Sequence, residues 1–297
     1  MTISNMLKLY PSQTCSPENV LYILGNGFDL AHQMPTNYED FHLWLLKNGN
    51  ESFVRRLESL YPCVKNNIGK WSDLEEALGK ETLKEAVDYD GNFRDCSLRQ
   101  NDEWKYQCGY NLKNVVDVLP HMLKKWAQSI LLDRCLPQFQ LCSQAHFLSF
   151  NYTRTLESIY GVQEVFHIHE TAINQRPLVV GYGNAIFEED DYISEDKYVN
   201  TQIIKNVLSH CRKPVDVILQ EPQTLQWLDS LTNVEGVVVY GHSCAMVDEP
   251  YFNTIANCIK TNACWDFYVY DDKNNAYIDS FAKAIKKGSQ QHHIINQ

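Results

Sequence analysis

Residues 20–29 read VLYILGNGFD, five apolar residues followed directly by a glycine turn. A short, continuous apolar run is typical of a strand that is buried on both faces of a parallel sheet. The turn Gly25-Asn26-Gly27 ends that strand, since Gly and Asn favour tight turns. After it we expect a short loop and then a helix near residues 38–48, where apolar residues recur at helical spacing. The stretch therefore predicts the first strand of an α/β fold, with a polar cluster at its carboxyl end.

Further apolar runs predict more strands, and helical periodicities lie between several of them. The runs are residues 145–150, 164–168, 178–180, 237–240 and 267–270. Strands that alternate with helices indicate a Rossmann-like, mainly parallel sheet with helices on both faces. At 297 residues the chain is near the upper size for one core. We therefore expect a single α/β domain, 1–297, with a mostly helical insertion at about 40–140.

The composition narrows the class of protein. Lys and Arg total 26 against 37 Asp and Glu, a net charge of −11, which argues against binding of nucleic acid through its phosphates. No run approaches the roughly 20 apolar residues of a membrane span, and the N-terminus has no apolar leader. The 10 cysteines form no Cys-x-x-Cys pair and are interpreted as buried thiols. We expect a cytoplasmic protein with no membrane partner, and a homo-oligomer is left open.

Polar clusters follow five of the predicted strands. They are residues 25–29, 150–153, 167–169, 181–184 and 241–243. The carboxyl ends of parallel strands meet at one edge of a sheet, and ligands bind at that edge. The first cluster also resembles the start of a dinucleotide fingerprint, in which glycines let backbone amides approach phosphate, although Leu30 replaces the third glycine. The clusters together predict one site of nucleotide size.

Several sequence blocks carry a resemblance to a known family. They are residues 24–32, 35–38 with 41, 71–75, 150–153 with 156–157, 167–169, and 240–243 with 248 and 250–252. In this order they are similar to the signature of the AbiH-type bacterial abortive infection proteins. The resemblance implies antiphage defence and a phage-derived or defence-system protein as trigger. One position departs from it: Glu170 stands where the family usually has glycine, and we expect its side chain to narrow the approach of a ligand.

A more distant resemblance concerns the chemistry. The order Gly-x-Gly, strand-Asn, strand-His, strand-Gly-x-Ser is similar to that of sirtuin-like NAD-binding domains, which include NAD-hydrolysing ones. It implies that the turn Gly25-Asn26-Gly27 holds the phosphates of the nucleotide. It also implies that Asn151 binds the nicotinamide ribose and that His169 acts as base toward a ribose hydroxyl. NAD, as substrate or ligand, is therefore the expected small molecule.

Four more residues belong to the predicted nucleotide site. They are Asp29, Gly241, His242 and Ser243. Two roles are possible for Asp29: a structural hydrogen bond to the glycine turn, or a contact with ribose. His167 and His169 alternate on one strand and are expected to share a face, but spacing supplies no third metal ligand, so no metal is expected.

Two other functions stay open at this point. The first is a nucleotide-sensing or partner-binding defence module without turnover. The second is a serine esterase built on the elbow Gly241-His242-Ser243. Its remaining groups would come from Asp271 or Asp279 and from His292 or His293, which lie in a tail that is expected to fray.

Overall fold

The computed structural model describes residues 6–61, 71, 74–78, 115–133, 135–183, 209, 211–269 and 290–294. The chain forms two compact units. The first unit consists of residues 1–36, 127–176 and 214–297, and the second of residues 37–126 and 177–213. Each unit is described by itself.

The first unit contains the strands, whose bounds are β1 Leu7–Lys8, β2 Val20–Leu24, β3 Phe139–Gln140, β4 His146–Ser149, β5 Phe166–His167, β6 Gly236–Tyr240, β7 Cys264–Val269 and β8 Gln290–Ile294. The short strands β1 and β3 pair with each other in parallel. The other six form one sheet in the order β5-β4-β2-β6-β7-β8, and all of their pairs are parallel.

The order of the main sheet positions the site. The chain starts in the middle at β2, moves outward through β4 and β5, and then returns to the other side of β2 for β6, β7 and β8. Counted along these six strands, the order is the 3-2-1-4-5-6 of dinucleotide-binding folds, whose ligand lies where the winding direction reverses. That reversal falls between β2 and β6. The predicted Rossmann-like, mainly parallel sheet is confirmed.

The helices are α1 Asn26–Ala31, α2 Tyr38–Lys47, α3 Glu51–Leu60, α4 Leu74–Ala77, α5 over residues 115–128, α6 Thr155–Tyr160, α7 Val215–Gln220, α8 Pro222–Asp229 and α9 Glu249–Cys258. In the first unit, helices α1 and α6 cover one face of the sheet, where Phe28 and Leu156 join the core around Tyr22. Helix α9 covers the other face, where Phe252 contacts Trp265 of β7. Helices therefore lie on both faces, as predicted.

The described part of the second unit contains the helices α2, α3 and α4 and most of α5. Asn37 caps α2 by accepting a hydrogen bond from the amide of Asp40 at 2.7 Å. The rings of Trp71 and Trp126 pack against Phe41 of α2. Residues 79–114 lie outside the described residues, so the extent of the helical insertion at about 40–140 stays a prediction.

Two elements differ from the sequence-based expectation near the ends of the sheet. The expected loop after the glycine turn is helix α1, which is too short for helical periodicity to be recognised in the sequence. The tail that was expected to fray contains β8, whose residues are mostly polar but pair with β7 at the sheet edge. Edge strands need fewer apolar side chains than central ones, which explains why this strand was missed.

The predicted strand at 178–180 is wrong. Those residues form no strand, and Tyr182 instead makes a single parallel bridge with Arg212 in the second unit. Within the described residues, no helix is both long and apolar enough to cross a membrane.

Candidate functional site

Four neighbouring strands bring polar residues to one edge of the main sheet. Gly25 follows β2, Asn151 follows β4, His169 follows β5 and the segment 241–243 follows β6. The predicted catalytic and nucleotide-binding residues therefore gather at the carboxyl ends of these strands. The remaining cluster, 181–184, belongs to the second unit, and Asn184 lies outside the described residues.

The turns after β2 and β6 touch through their backbones. The amide of Gly25 donates to the carbonyl of Tyr240 at 3.0 Å, and the amide of Gly27 donates to the carbonyl of Gly241 at 2.9 Å. A Cβ on Gly25 would lie 2.5 Å from the Cα of His242, and one on Gly241, whose φ is +62°, would lie 2.5 Å from the Cα of Gly27. Only glycine fits at these contacts. The amides of Gly25 and Gly27 thus bind protein carbonyls, while Asn26 between them is exposed.

Asp29 ties helix α1 to the loop after β4. Its two carboxylate oxygens accept hydrogen bonds from the hydroxyls of Thr153 at 2.5 Å and Thr155 at 2.6 Å. The side-chain amide of Asn151 donates to the carbonyl of Gly25 at 3.1 Å in the same region. Burial raises the pKa of Asp29 to about 6, although the hydrogen bonds from Thr153, Thr155 and Asn151 favour its charged form. Asp29 therefore has a structural role, but its donors lie in the segment that follows β4. The amides of Gly25 and Gly27, which the structural interpretation expected to donate to it, donate instead to the carbonyls of Tyr240 and Gly241.

A second buried carboxylate, that of Asp248, lies near two imidazoles, those of His169 and His242. Nε2 of His169 lies 4.0 Å from Oδ1 of Asp248, and Nε2 of His242 lies 3.5 Å from Oδ2. The ring of Phe150 lies at a steep angle to both imidazoles, with centroid distances of 5.1 Å to His169 and 4.3 Å to His242. All three polar residues are buried. We call this group, His169, His242 and Asp248, the imidazole cluster.

One hydrogen bond fixes the protonation of His242. The amide of Cys244 donates to Nδ1 of His242 at 2.9 Å. A backbone amide can only donate, so Nδ1 presents its lone pair and the neutral ring carries its proton on Nε2. A metal ion bound at Nε2 would require the proton on Nδ1, where it would meet the Cys244 amide. In the described part of the chain, no group of three or more His, Cys, Asp or Glu side chains is placed to hold a metal ion.

The family model described as "Bacteriophage abortive infection AbiH" matches residues 21–270, most of the chain and the whole of the site. The chain belongs to the AbiH family. Membership in this family supports a role in antiphage defence by abortive infection. Neither the curated proteins nor the solved structures contain a match.

Glu170 stands at the position where the resemblance described above leads us to expect glycine. Its φ is +66°, in the left-handed region that favours glycine. Its carboxylate accepts a hydrogen bond from Asn174 at 2.8 Å and lies 3.3 Å from a guanidinium nitrogen of Arg176. The backbone at this position therefore has a conformation that favours glycine, and Glu170 adopts it with strain.

The two histidines of the His-x-His block point to different helices in this AbiH protein. His167 lies 3.2 Å from Glu157 of α6, whereas His169 packs against Tyr251 of α9. The expectation that they share a face is wrong, because β5 ends at His167 and the alternation ends with it. Burial opposes ionisation of Glu157, but hydrogen bonds from His167 and Arg154 outweigh it and lower its pKa.

Ser243 is exposed, but the elements of an esterase are not gathered around it in the described residues. The non-glycine residue with positive φ in its turn is Cys244, at +52°, whereas a nucleophile elbow places the strain at the serine. His293 lies in β8, and its Nε2 is 2.7 Å from Oδ1 of the buried Asp266. Asp271, Asp279 and the side chain of His292 lie outside the described residues.

Asp248 is the one member of the imidazole cluster to which the sequence assigned no role. It lay within the matching block after Ser243, and that position was the only signal. It directly precedes helix α9, and the fold turns its carboxylate toward His169 and His242.

Proposed function

We propose that this AbiH protein binds NAD or a related nucleotide at the carboxyl ends of β2, β4, β5 and β6 and hydrolyses the bond between nicotinamide and ribose. The observation that carries the proposal is that Asn151, His169 and Ser243 all follow strands at the same edge of the sheet, and that this edge includes the reversal of winding between β2 and β6. Loss of NAD would stop the metabolism of an infected cell, which fits defence by abortive infection.

The exposed groups of the site suggest how the nucleotide is held. Asn26, in the first turn of α1, and Ser243 after β6 both face solvent. Because the amides of Gly25 and Gly27 already bind carbonyls, we expect the side chains of Asn26 and Ser243 to meet phosphate or ribose oxygens. The glycines contribute close backbone approach rather than free donors.

Asn151 and His169 suggest how the reaction proceeds. The amide nitrogen of Asn151 donates to the Gly25 carbonyl and to Asp29, so its carbonyl oxygen can accept a bond from a ribose hydroxyl. The bond from C1′ of the ribose to the nicotinamide nitrogen breaks, and its electron pair leaves with nicotinamide. A water molecule adds its oxygen to C1′, and His169 accepts the proton that is released. The products are nicotinamide, ADP-ribose and one proton.

The test compares NAD loss by the wild type, His169→Ala, Asn151→Ala and His146→Ala. His146 is a matched histidine control, since it starts β4 at the opposite end of the strand from Asn151. Each purified protein is incubated with NAD, with and without lysate of phage-infected cells to supply a trigger, and products are separated by chromatography. We expect cleavage by the wild type and His146→Ala and none by the other two. No cleavage by the wild type under either condition, or full cleavage by His169→Ala, would overturn hydrolysis through this histidine.

The alternative is a nucleotide-sensing module without turnover. It is favoured by the burial of the two proposed catalytic side chains, since Asn151 is 8% and His169 is 3% exposed. A sensing module would gain thermal stability with NAD and release no nicotinamide. A fluorophosphonate adduct on Ser243 would instead support the esterase.

A further inference from the structure

We infer that Asp248 is a positioning residue: it holds the proton of His169 on Nε2, so that Nδ1 is the atom that accepts a proton in the reaction. The inference rests on the proposed function for its catalytic consequence. The tautomer itself is a property of the protein and can be measured without any substrate.

The proton of His242 orients the carboxylate of Asp248. Its Nδ1 accepts from the Cys244 amide at 2.9 Å, so its Nε2 carries a proton and faces Oδ2 of Asp248 at 3.5 Å. This proton holds the carboxylate in one orientation. The other oxygen, Oδ1, is thereby left facing His169.

The carboxylate of Asp248 in turn favours one tautomer of His169. Its Nε2 is 4.0 Å from Oδ1 of Asp248, and a carboxylate repels a nitrogen lone pair but attracts an N–H group. The tautomer with hydrogen on Nε2 is therefore favoured, and Nδ1 keeps the lone pair. Phe150 lies almost perpendicular to the imidazole, at 88°, and packs against it, which limits rotation of the ring.

The position of Asp248 at the start of helix α9 is consistent with this role of its carboxylate. Asp248 occupies the N-cap position of α9, where aspartate usually accepts a bond from an amide of the first turn. Its side chain makes no such bond, and Pro250 removes one of the amides that would need it. The carboxylate faces the imidazoles instead and does not cap helix α9.

Asp248→Asn should reverse the tautomer of His169. The fixed N–H of His242 requires an oxygen opposite it, so the new amide would turn its NH2 group toward His169. The Nε2 of His169 would then accept, and its proton would move to Nδ1, the atom that should act as base. His242 should keep its tautomer, because the Cys244 amide is unchanged.

Long-range 1H–15N spectra of full-length protein labelled with [15N]histidine distinguish the two tautomers. They would be recorded at about pH 8.5, where unperturbed imidazoles are neutral. His169→Gln and His242→Gln assign the two signals among the 10 histidines. Glu249→Gln is the matched control, since this neighbouring acid accepts a bond from Asn253 at 3.1 Å. We expect hydrogen on Nε2 of His169 in the wild type and Glu249→Gln, and on Nδ1 in Asp248→Asn.

Kinetics of NAD cleavage complete the test. Asp248→Asn should lower kcat at least about 100-fold with little change in KM, because the base would present the wrong tautomer. Hydrogen on Nδ1 of His169 in the wild type would overturn the inference, even if Asp248→Asn failed to fold. A wild-type kcat in Asp248→Asn would also overturn it. If the wild type cleaves no NAD, the proposed function fails, while the spectra still decide the tautomer.

Discussion

Asp29 and Asp248 are both buried carboxylates at the carboxyl edge of the main sheet, but different groups hold them. The oxygens of Asp29 accept from the hydroxyls of Thr153 and Thr155 at 2.5 and 2.6 Å. The oxygens of Asp248 face two imidazoles at 3.5 and 4.0 Å. Hydroxyl groups keep their protons across the physiological pH range, whereas imidazoles exchange theirs. Asp29 is thus suited to fastening the loops, and Asp248 to influencing a proton transfer.

The largest expected effect comes from removing the hydroxyls around Asp29. The double variant Thr153→Val with Thr155→Val leaves a buried carboxylate without these two donors. We expect it to lower the free energy of unfolding by about 3–5 kcal/mol at pH 7. The measurement is equilibrium unfolding in urea.

Thr171→Val is the matched control for this double variant. Thr171 is also buried, but its hydroxyl has no hydrogen-bond partner in the described part of the chain. Its replacement should change stability by less than about 1 kcal/mol. Equal losses in the double variant and the control would contradict the role given to the hydroxyls.

A smaller effect tests the charge of Asp29 itself. Its pKa is about 6 in the folded protein, raised from 3.8 by burial. A raised pKa means that the protonated form stabilises the fold below about pH 4, and that this stabilisation disappears as the pH rises through 6. The shift of about two units corresponds to about 3 kcal/mol at most.

Asp29→Asn should remove this dependence. Thr153 and Thr155 lie 3.0 Å apart, so their hydroxyls can rearrange to accept from one side of the new amide and donate to the other. The unfolding free energy of the variant minus that of the wild type should rise between about pH 4 and 6 and stay level on either side. A difference that is constant from pH 4 to 7 would show that Asp29 keeps an ordinary pKa.

The smallest effect lies beside the imidazole cluster. Glu170→Gly places glycine at a φ of +66°, which should raise the free energy of unfolding by about 1 kcal/mol. The same change removes the contacts of Glu170 with Asn174 and Arg176, which should lower it. We expect stability to change by less than about 1 kcal/mol and NAD turnover or affinity to rise. Gln33→Gly, at a φ of +59° outside the imidazole cluster, is the control. A rise in activity with Gln33→Gly as well would assign the effect to backbone strain in general.

The sequence predicted the central strands well because their apolar runs are continuous. The predicted bounds of β2, Val20–Leu24, agree with the structure. The predicted run 237–240 differs from β6, Gly236–Tyr240, by one residue at its start. The strand β8 was missed because QQHHI has no apolar run, and its pairing depends on the edge that β7 offers. Local pattern therefore identifies buried strands better than edge strands.

The sequence predicts which residues of the candidate site lie at the ends of strands, but it does not predict which side chains contact one another there. The clusters that contain Asn151 and His169 were predicted because they follow strands, and the two residues themselves were chosen from the sirtuin-like resemblance. The fold places both at one edge. The partnership of Asp248 with His169 and His242 depends on how α9 packs against the sheet. No spacing in the sequence encodes such a contact, and the same holds for the hydroxyls that surround Asp29.

Gly25 and Gly241 restrict which substitutions the protein can accept. A Cβ on either residue would meet backbone atoms of the opposite turn at 2.5 Å. An obstruction made of backbone cannot be relieved by a smaller side chain nearby. A library of random variants selected for protection against phage should therefore contain no alanine at either position and no second-site suppressor of such a change. Both positions, 216 residues apart in the sequence, are therefore expected to accept glycine alone.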